Sequence, residues 1–208
     1  FETTLHEMIR KTIKDHKRII FNGNGYDDAW IEEAQKRELS NYPTTPDAMP
    51  HLLDEKNVRM LTSHGVFSKA ELESRTEIML DNYCKSVRIE ADTMSFMART
   101  QIEPAVASYS RELAETCSAK KSACAYETKA IMRLSELLDG IERRTDDLDA
   151  AVSALDGSSD VIAQSTMIRD SVIPAMSDLR SVCDEAETVV SKKFWPFPVY
   201  GDLLFSVQ

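Results

Sequence analysis

The sequence predicts an all-α fold: short N-terminal helices, then an elongated antiparallel helical bundle, closed by an extended aromatic C-terminal tail. Three observations carry this. Glycine and proline are scarce, 6 and 7 in 208 residues, while 29% of residues are charged; this suits a folded helical chain better than a disordered or β-rich one. Apolar residues recur at spacings of three and four along most of the length, the mark of amphipathic helices. An aromatic run near the end carries Pro196 and Pro198, which bar a helix there.

The first helix is read from Leu5, Met8, Ile9, Thr12, Ile13 and His16, which step along one face. It runs into Arg18-Ile19-Ile20-Phe21 and then Asn22-Gly23-Asn24-Gly25, strong turn chemistry. Asp27-Asp28 supplies an N-cap for a short helix from Ala29 to Arg37. Ser40 to Pro50 holds three prolines and forms an ordered, irregular connection, within which Thr45-Pro46-Asp47-Ala48 starts another short helix. Asn57 to Ser63 is a further one, closed by Gly65. Residues 1–66 thus form a subregion of short helices.

From Ser68 the character changes. Ser68-x-x-Glu71 is a capping box, followed by about fifty residues with no glycine and a single proline, Pro104. This is one very long helix, or two joined or kinked at Pro104, with a break between Cys117 and Tyr126. Ile131, Leu134, Leu138, Ile141, Thr145, Leu148, Val152 and Leu155 then step 3-4-3-4-3-4-3, the 3.5-residue period of a bundle seam. Asp156-Gly157-Ser158-Ser159 ends it. From Asp160 a partner helix carries Val172, Met176, Leu179, Cys183, Ala186 and Val190 at 4-3-4-3-4. A short loop between long helices makes them antiparallel neighbours, so residues 67–193 form the bundle and 194–208 the tail, all within one structural domain. Ile102-Glu103-Pro104-Ala105 and Val172-Ile173-Pro174-Ala175 each set a proline within helical periodicity; otherwise no repeat is evident.

Composition removes several functions. Lys and Arg number 25 against 35 Asp and Glu, a net charge of −10, and a field of that sign repels phosphate backbones, so nucleic acid is not a partner. No apolar stretch approaches the roughly 20 residues that cross a bilayer. The chain opens Phe1-Glu2-Thr3 without Met or a cleavable apolar segment, and reads as a piece excised from something longer. Cys84, Cys117, Cys124 and Cys183 form no C-x-x-C and are expected to be reduced thiols. On one continuous helix Cys117 and Cys124 would lie about 10 Å apart, too far to bond. Neither they nor His6, His16, His51 and His64 have zinc-ligand spacing.

No catalytic constellation emerges. Asn22-Gly23-Asn24-Gly25 lacks both phosphate-loop patterns and is a structural turn. Lys11, Lys14, Lys17 and Arg18 make a solvated face or docking patch. Glu136, Asp139, Glu142, Asp146, Asp147 and Asp149 lie off the apolar seam with no histidine after His64, an acidic surface and not a di-metal site. The same lack of histidine leaves no base for a serine nucleophile there. The residues that stand out are instead contact residues: Phe21, Asn22 and Tyr26 around the turn, and Trp195, Phe197, Tyr200 and Phe205 in the tail. Proline-fixed aromatic segments lose little entropy on docking, so the tail either folds over its own bundle or docks on another domain or subunit.

Several stretches together resemble the C-terminal region of type III glutamine synthetases. They are His16 to Tyr26 with its Asn-Gly-Asn-Gly, Thr44-Thr45-Pro46-Asp47-Ala48-Met49-Pro50, Glu55-Lys56-Asn57-Val58, Gly65-Val66 and Glu71-Leu72-x-Ser74-Arg75. Farther along come Ile89-Glu90-Ala91-x-Thr93-Met94, Ile102-x-Pro104-Ala105, Met176-x-x-Leu179-Arg180-x-x-x-Asp184, and the ending Trp195-Pro196-x-Pro198-x-Tyr200-x-x-Leu203-Leu204-Phe205. Glu73, Thr76 and Val199 depart from the family pattern, and Ser110 to Ser165 matches only as helical periodicity.

The resemblance implies a non-catalytic helical domain after the catalytic domain of a cytoplasmic ligase. That family makes glutamine from glutamate, ammonia and ATP with magnesium or manganese, in double-ring assemblies. Its ATP, metal and glutamate residues lie upstream of Phe1, so this segment is expected to hold no catalytic, cofactor or metal residue and to be inactive alone. Its expected partners are the parent catalytic domain and neighbouring subunits. The alternative is a stand-alone helical adaptor or sensory bundle.

Overall fold

The computed structural model describes residues 1–120 and 122–205 and divides into two units, Phe1–Ala48 and Met49–Gln208. In the first, α1 (Glu2–Asp15) buries none of its residues and leaves Met8, Ile9 and Ile13 about half exposed. Helix α2 (Asp28–Lys36) starts where Asp27 accepts from the Ala29 N–H, as its sequence predicts. It is followed by α3 (Thr45–Ala48).

The second unit opens with a tight turn at Met49–Leu53 and α4 (Glu55–Ser63). Then come α5 (Lys69–Met97), α6 (Glu103–Ala119), α7 (Ala125–Ala154), α8 (Val161–Met167), α9 (Ile173–Val189) and α10 (Tyr200–Leu204). The capping box forms: Ser68 N–H donates to Glu71 at 2.7 Å and Ser68 Oγ accepts from the Glu71 N–H. Asp160 accepts from the N–H groups of Ile162 and Ala163 at the start of α8. No strand occurs among the described residues.

Ion pairs between helices show the chain direction. Arg88 pairs with Asp156 and Arg99 with Asp149, while Arg133 pairs with Glu185 and Arg144 with Asp178. Numbers rise on one helix as they fall on the next, so α7 runs antiparallel both to α5–α6 and to α9. The predicted seam is the core. Leu134, Ile141, Thr145 and Leu148 are fully buried on α7, facing Leu179 and Ala186 of α9 and Val106 of α6. Leu137 is buried as well, and Leu138 only partly. Because α7 packs against helices on two sides, its apolar face is wider than a two-helix seam.

Neither Pro104 nor Pro174 breaks its helix. Each is preceded by a single wide turn, at Ala98–Ile102 and Ile168–Val172, in which the N–H of Glu103 bonds to Ala98 O and that of Ile173 to Ile168 O, five residues back. Proline in a regular helix lacks a donor and clashes with the carbonyl four residues earlier. The extra residue in the turn moves that carbonyl off the ring and lets the helix continue. The two sites share more than proline. Ser95-x-Met97-x-Arg99-x-x-Ile102-x-Pro104-Ala105 and Ser165-x-Met167-x-Arg169-x-x-Val172-x-Pro174-Ala175 are the same motif, and both serines are buried.

The tail corrects one expectation. It is non-helical from Ser191 to Val199, but it does not stay extended: α10 covers Tyr200–Leu204, with Asp202 accepting from the Val199 N–H at 3.2 Å. The prolines block a helix only as far as Pro198, and beyond it a carboxylate at the third helical position caps a new one.

Candidate functional site

In the first unit the turn after α1 is built around Phe21. Its ring packs on Trp30 with centroids 4.5 Å apart, and the Arg37 guanidinium lies 5.8 Å from the ring centroid. The same guanidinium donates to Ile20 O at 2.5 Å and to Arg18 O at 3.2 Å, while Glu33 accepts from its Nε at 2.6 Å. A Cβ at Gly23 would run into the Phe21 ring, which explains that glycine by close approach and not by phosphate binding. Asn24 Oδ1 accepts from the Tyr26 N–H at 3.1 Å, an Asx turn that leaves Tyr26 fully exposed, beside the exposed Asn22. Phe21 is therefore engaged within its own unit, and Asn22 and Tyr26 face outward.

In the second unit the tail folds back onto the bundle. Phe194 packs on Tyr109 with centroids 5.7 Å apart, Lys193 pairs with Glu112 at 2.8 Å, and Trp195 meets Phe197 edge-on at 6.0 Å. Trp195 and Phe197 are half-buried against the core, and the Trp195 indole N–H is buried without a partner among the described residues. Lys192 pairs with Asp202 at 2.6 Å, which together with the Val199 N–H holds that carboxyl below its usual range. Beyond them Leu203, Leu204 and Phe205 are 62%, 69% and 75% exposed. Tyr200 begins α10, but its side chain lies outside the described residues.

Between tail, α5 and α9 lies a cavity of ≈550 Å³, lined by Met94, Met97, Leu179, Cys183, Trp195 and Phe197. At its rim Arg180 pairs with Asp184 at 2.6 Å. Burial, then Asp184 and Glu103, push the Cys183 thiol up to about 11, so it is no nucleophile at neutral pH.

The acidic run of α7 is exposed except for the half-buried Asp149, and part of it is tied to α5. Asp146 and Asp149 are held by Arg99 at 2.9 and 2.6 Å, and Asp149 also by Ser95 at 2.6 Å. No group of three His, Cys, Asp or Glu among the described residues is arranged to hold a metal ion, so these residues do not fit a catalytic divalent metal. No helix among them is long and apolar enough to cross a membrane.

The predicted break between Cys117 and Tyr126 is present. Cys117 and Cys124 are not on one helix: the chain reverses after Ala119 and α7 begins at Ala125. The reversal brings the Cys124 thiol within 3.4 Å of the carbonyls of Cys117 and Ser122, to which it donates.

Comparison with known proteins completes the picture. The chain is 34% identical over 207 residues to a glutamine synthetase of Butyrivibrio fibrisolvens, covering 97% of this chain and 30% of that protein. It is 30% identical to the type-3 glutamine synthetase of Dictyostelium discoideum, covering 98% of this chain and 29% of that protein. A glutamine synthetase of Bacteroides fragilis is 26% identical over 99% of this chain. The chain thus spans about 30% of the length of the curated relatives it matches. The family model of the glutamine synthetase C-terminal domain matches residues 4–121, more than half of the sequence, and the chain belongs to that family.

Proposed function

We propose that this chain is the non-catalytic C-terminal domain of a cytoplasmic type III glutamine synthetase, packing on the parent catalytic domain and supporting oligomer assembly. The observation that carries the reading is the match of residues 4–121 to the C-terminal domain family, within a chain that aligns almost end to end with about 30% of its relatives. The parent would ligate ammonia to glutamate with ATP and magnesium or manganese, held by residues outside these 208. The division of labour follows the sequence: 1–66 and 194–208 present contacts, and 67–193 is the helical bundle. Phe21, Trp195 and Phe197 build the contact surfaces from within. Asn22, Tyr26, Tyr200 and Phe205 meet the neighbouring domain or subunit, and the exposed apolar face of α1 joins them.

Two measurements test this. The 208 residues alone should form no γ-glutamyl hydroxamate from glutamate, hydroxylamine and ATP, and turnover by this piece would overturn the placement of the active site. Removing it from the full-length enzyme should lower the oligomeric mass seen by sedimentation. Unchanged assembly would overturn the structural role.

A further inference from the structure

The turn between α6 and α7 sets two thiols side by side. Cys117 lies in the last turn of α6 and Cys124 directly precedes α7, with the Cys124 thiol donating to the Cys117 carbonyl at 3.4 Å. Both are half-buried and within reach of small solutes, whereas Cys84 and Cys183 are buried, at 7% and 6% exposure. Lys120, ion-paired with Glu127, is the next residue but two after Cys117. We propose that Cys117 and Cys124 are a modification site that closes reversibly to an intrachain disulfide by exchange with a low-molecular-weight disulfide such as oxidised glutathione.

The atoms balance without another reactant. The Cys117 thiolate attacks one sulfur of the small disulfide, expelling one thiolate and leaving a mixed disulfide on Cys117. Cys124 releases its proton to solvent and attacks the Cys117 sulfur, expelling the second thiolate. Two protein thiols are oxidised and one small disulfide is reduced to two thiols. The order follows from hydrogen bonding: the Cys124 thiol proton is held by the carbonyls of Cys117 and Ser122, both at 3.4 Å, so Cys117 initiates and Cys124 resolves. Burial keeps Cys84 and Cys183 out of the exchange. The closed loop spans eight residues, 117–124, and ties the end of α6 to the start of α7. This inference stands whether or not the chain serves glutamine synthesis.

The test is a glutathione redox titration of the intact, folded chain, quenched with acid and read by mass spectrometry. Trypsin cuts at Lys120 and Lys121, so the disulfide would join peptides 112–120 and 122–129. The expected result is that linked pair, an intact mass lower by two hydrogens, full reversal by excess reduced glutathione, and alkylation of Cys84 and Cys183 only after unfolding. Cys124→Ser should trap a glutathionyl group on Cys117, and Cys117→Ser should leave Cys124 unmodified. Separate glutathionyl adducts on both cysteines of the wild-type chain, or no linked peptides at any ratio, would overturn the proposal regardless of how the variants fold.

Discussion

Ser95 Oγ donates to Asp149 Oδ1 at 2.6 Å across the interface between α5 and α7, and the other oxygen of that carboxylate accepts from Arg99 at 2.6 Å. Ser95 is only 7% exposed, so its hydroxyl has little water to turn to if the carboxylate is removed. Asp149→Ala should therefore destabilise the chain by about 1–3 kcal/mol. Asp146→Ala, which removes only a solvent-exposed partner of Arg99, should cost no more than about 1 kcal/mol. Urea titration of both variants decides the matter: equal, small losses would mean that Asp149 is merely another surface charge.

The centre of α7 allows a second contrast. Ile141 and Thr145 are both fully buried, and the Thr145 hydroxyl donates to Ile141 O of its own helix at 2.8 Å. Ile141→Ala leaves a cavity in a packed seam and should cost about 2–5 kcal/mol. Thr145→Val keeps the shape and removes a hydroxyl that makes no bond to another helix, so its change should stay within about 1 kcal/mol. A Thr145→Val loss as large as that of Ile141→Ala would show that the hydroxyl is structural.

These contrasts mark how far the sequence can be read. The seam residues Leu134, Ile141 and Leu148, the Ser68–Glu71 box and the Asp27 and Asp160 caps were legible because each depends on neighbours within a turn or two. Leu137 was not, since its burial needs helices packed on both sides of α7. The Ser-x-Met-x-Arg motif is not legible in the sequence because seventy residues separate its copies and only the wide turns before Pro104 and Pro174 give the match a meaning. Among the contact candidates, spacing cannot tell an inward aromatic from an outward one. Phe21 turns in because Trp30 and Arg37 meet it, whereas Phe205 stays out because α10 carries it past the bundle. Cys117 and Cys124 are neighbours through the reversal between α6 and α7, whose geometry no spacing reveals.

Gly140 marks the close approach of α7 and α9. A Cβ there would lie 3.1 Å from Val182 Cγ2. Gly140→Ala gains about 1 kcal/mol of helix propensity against that tight contact, and a net change near zero is expected. Gly140→Leu adds bulk against Val182 and should destabilise by about 1–3 kcal/mol. Thermal unfolding of the two variants checks this, and a tolerated leucine would mean that α9 moves away freely.

Glu103 yields the sharpest prediction with pH. It follows the wide turn before Pro104, and its Oε1 is buried without a partner among the described residues. Burial raises its pKa above the ordinary 4.5; Arg99 opposes the shift, while Glu142 and Asp146 add to it. Cys183, from α9, faces the same space as a neutral thiol. A carboxyl whose folded value is raised favours folding when protonated, and that advantage is lost as pH rises through the folded value. At neutral pH the ionised form is therefore a liability, and Glu103→Gln should raise the melting temperature. The gain should shrink toward zero below about pH 4, as the wild-type side chain becomes protonated whether the chain is folded or not. Asp156 and Asp202, held low by Arg88 and Lys192 respectively, lose stabilisation on acidification in both proteins alike, so the difference between variant and wild type isolates Glu103. A gain that stays constant from neutral to acid pH would assign the effect to packing of the amide instead of relief of a buried charge.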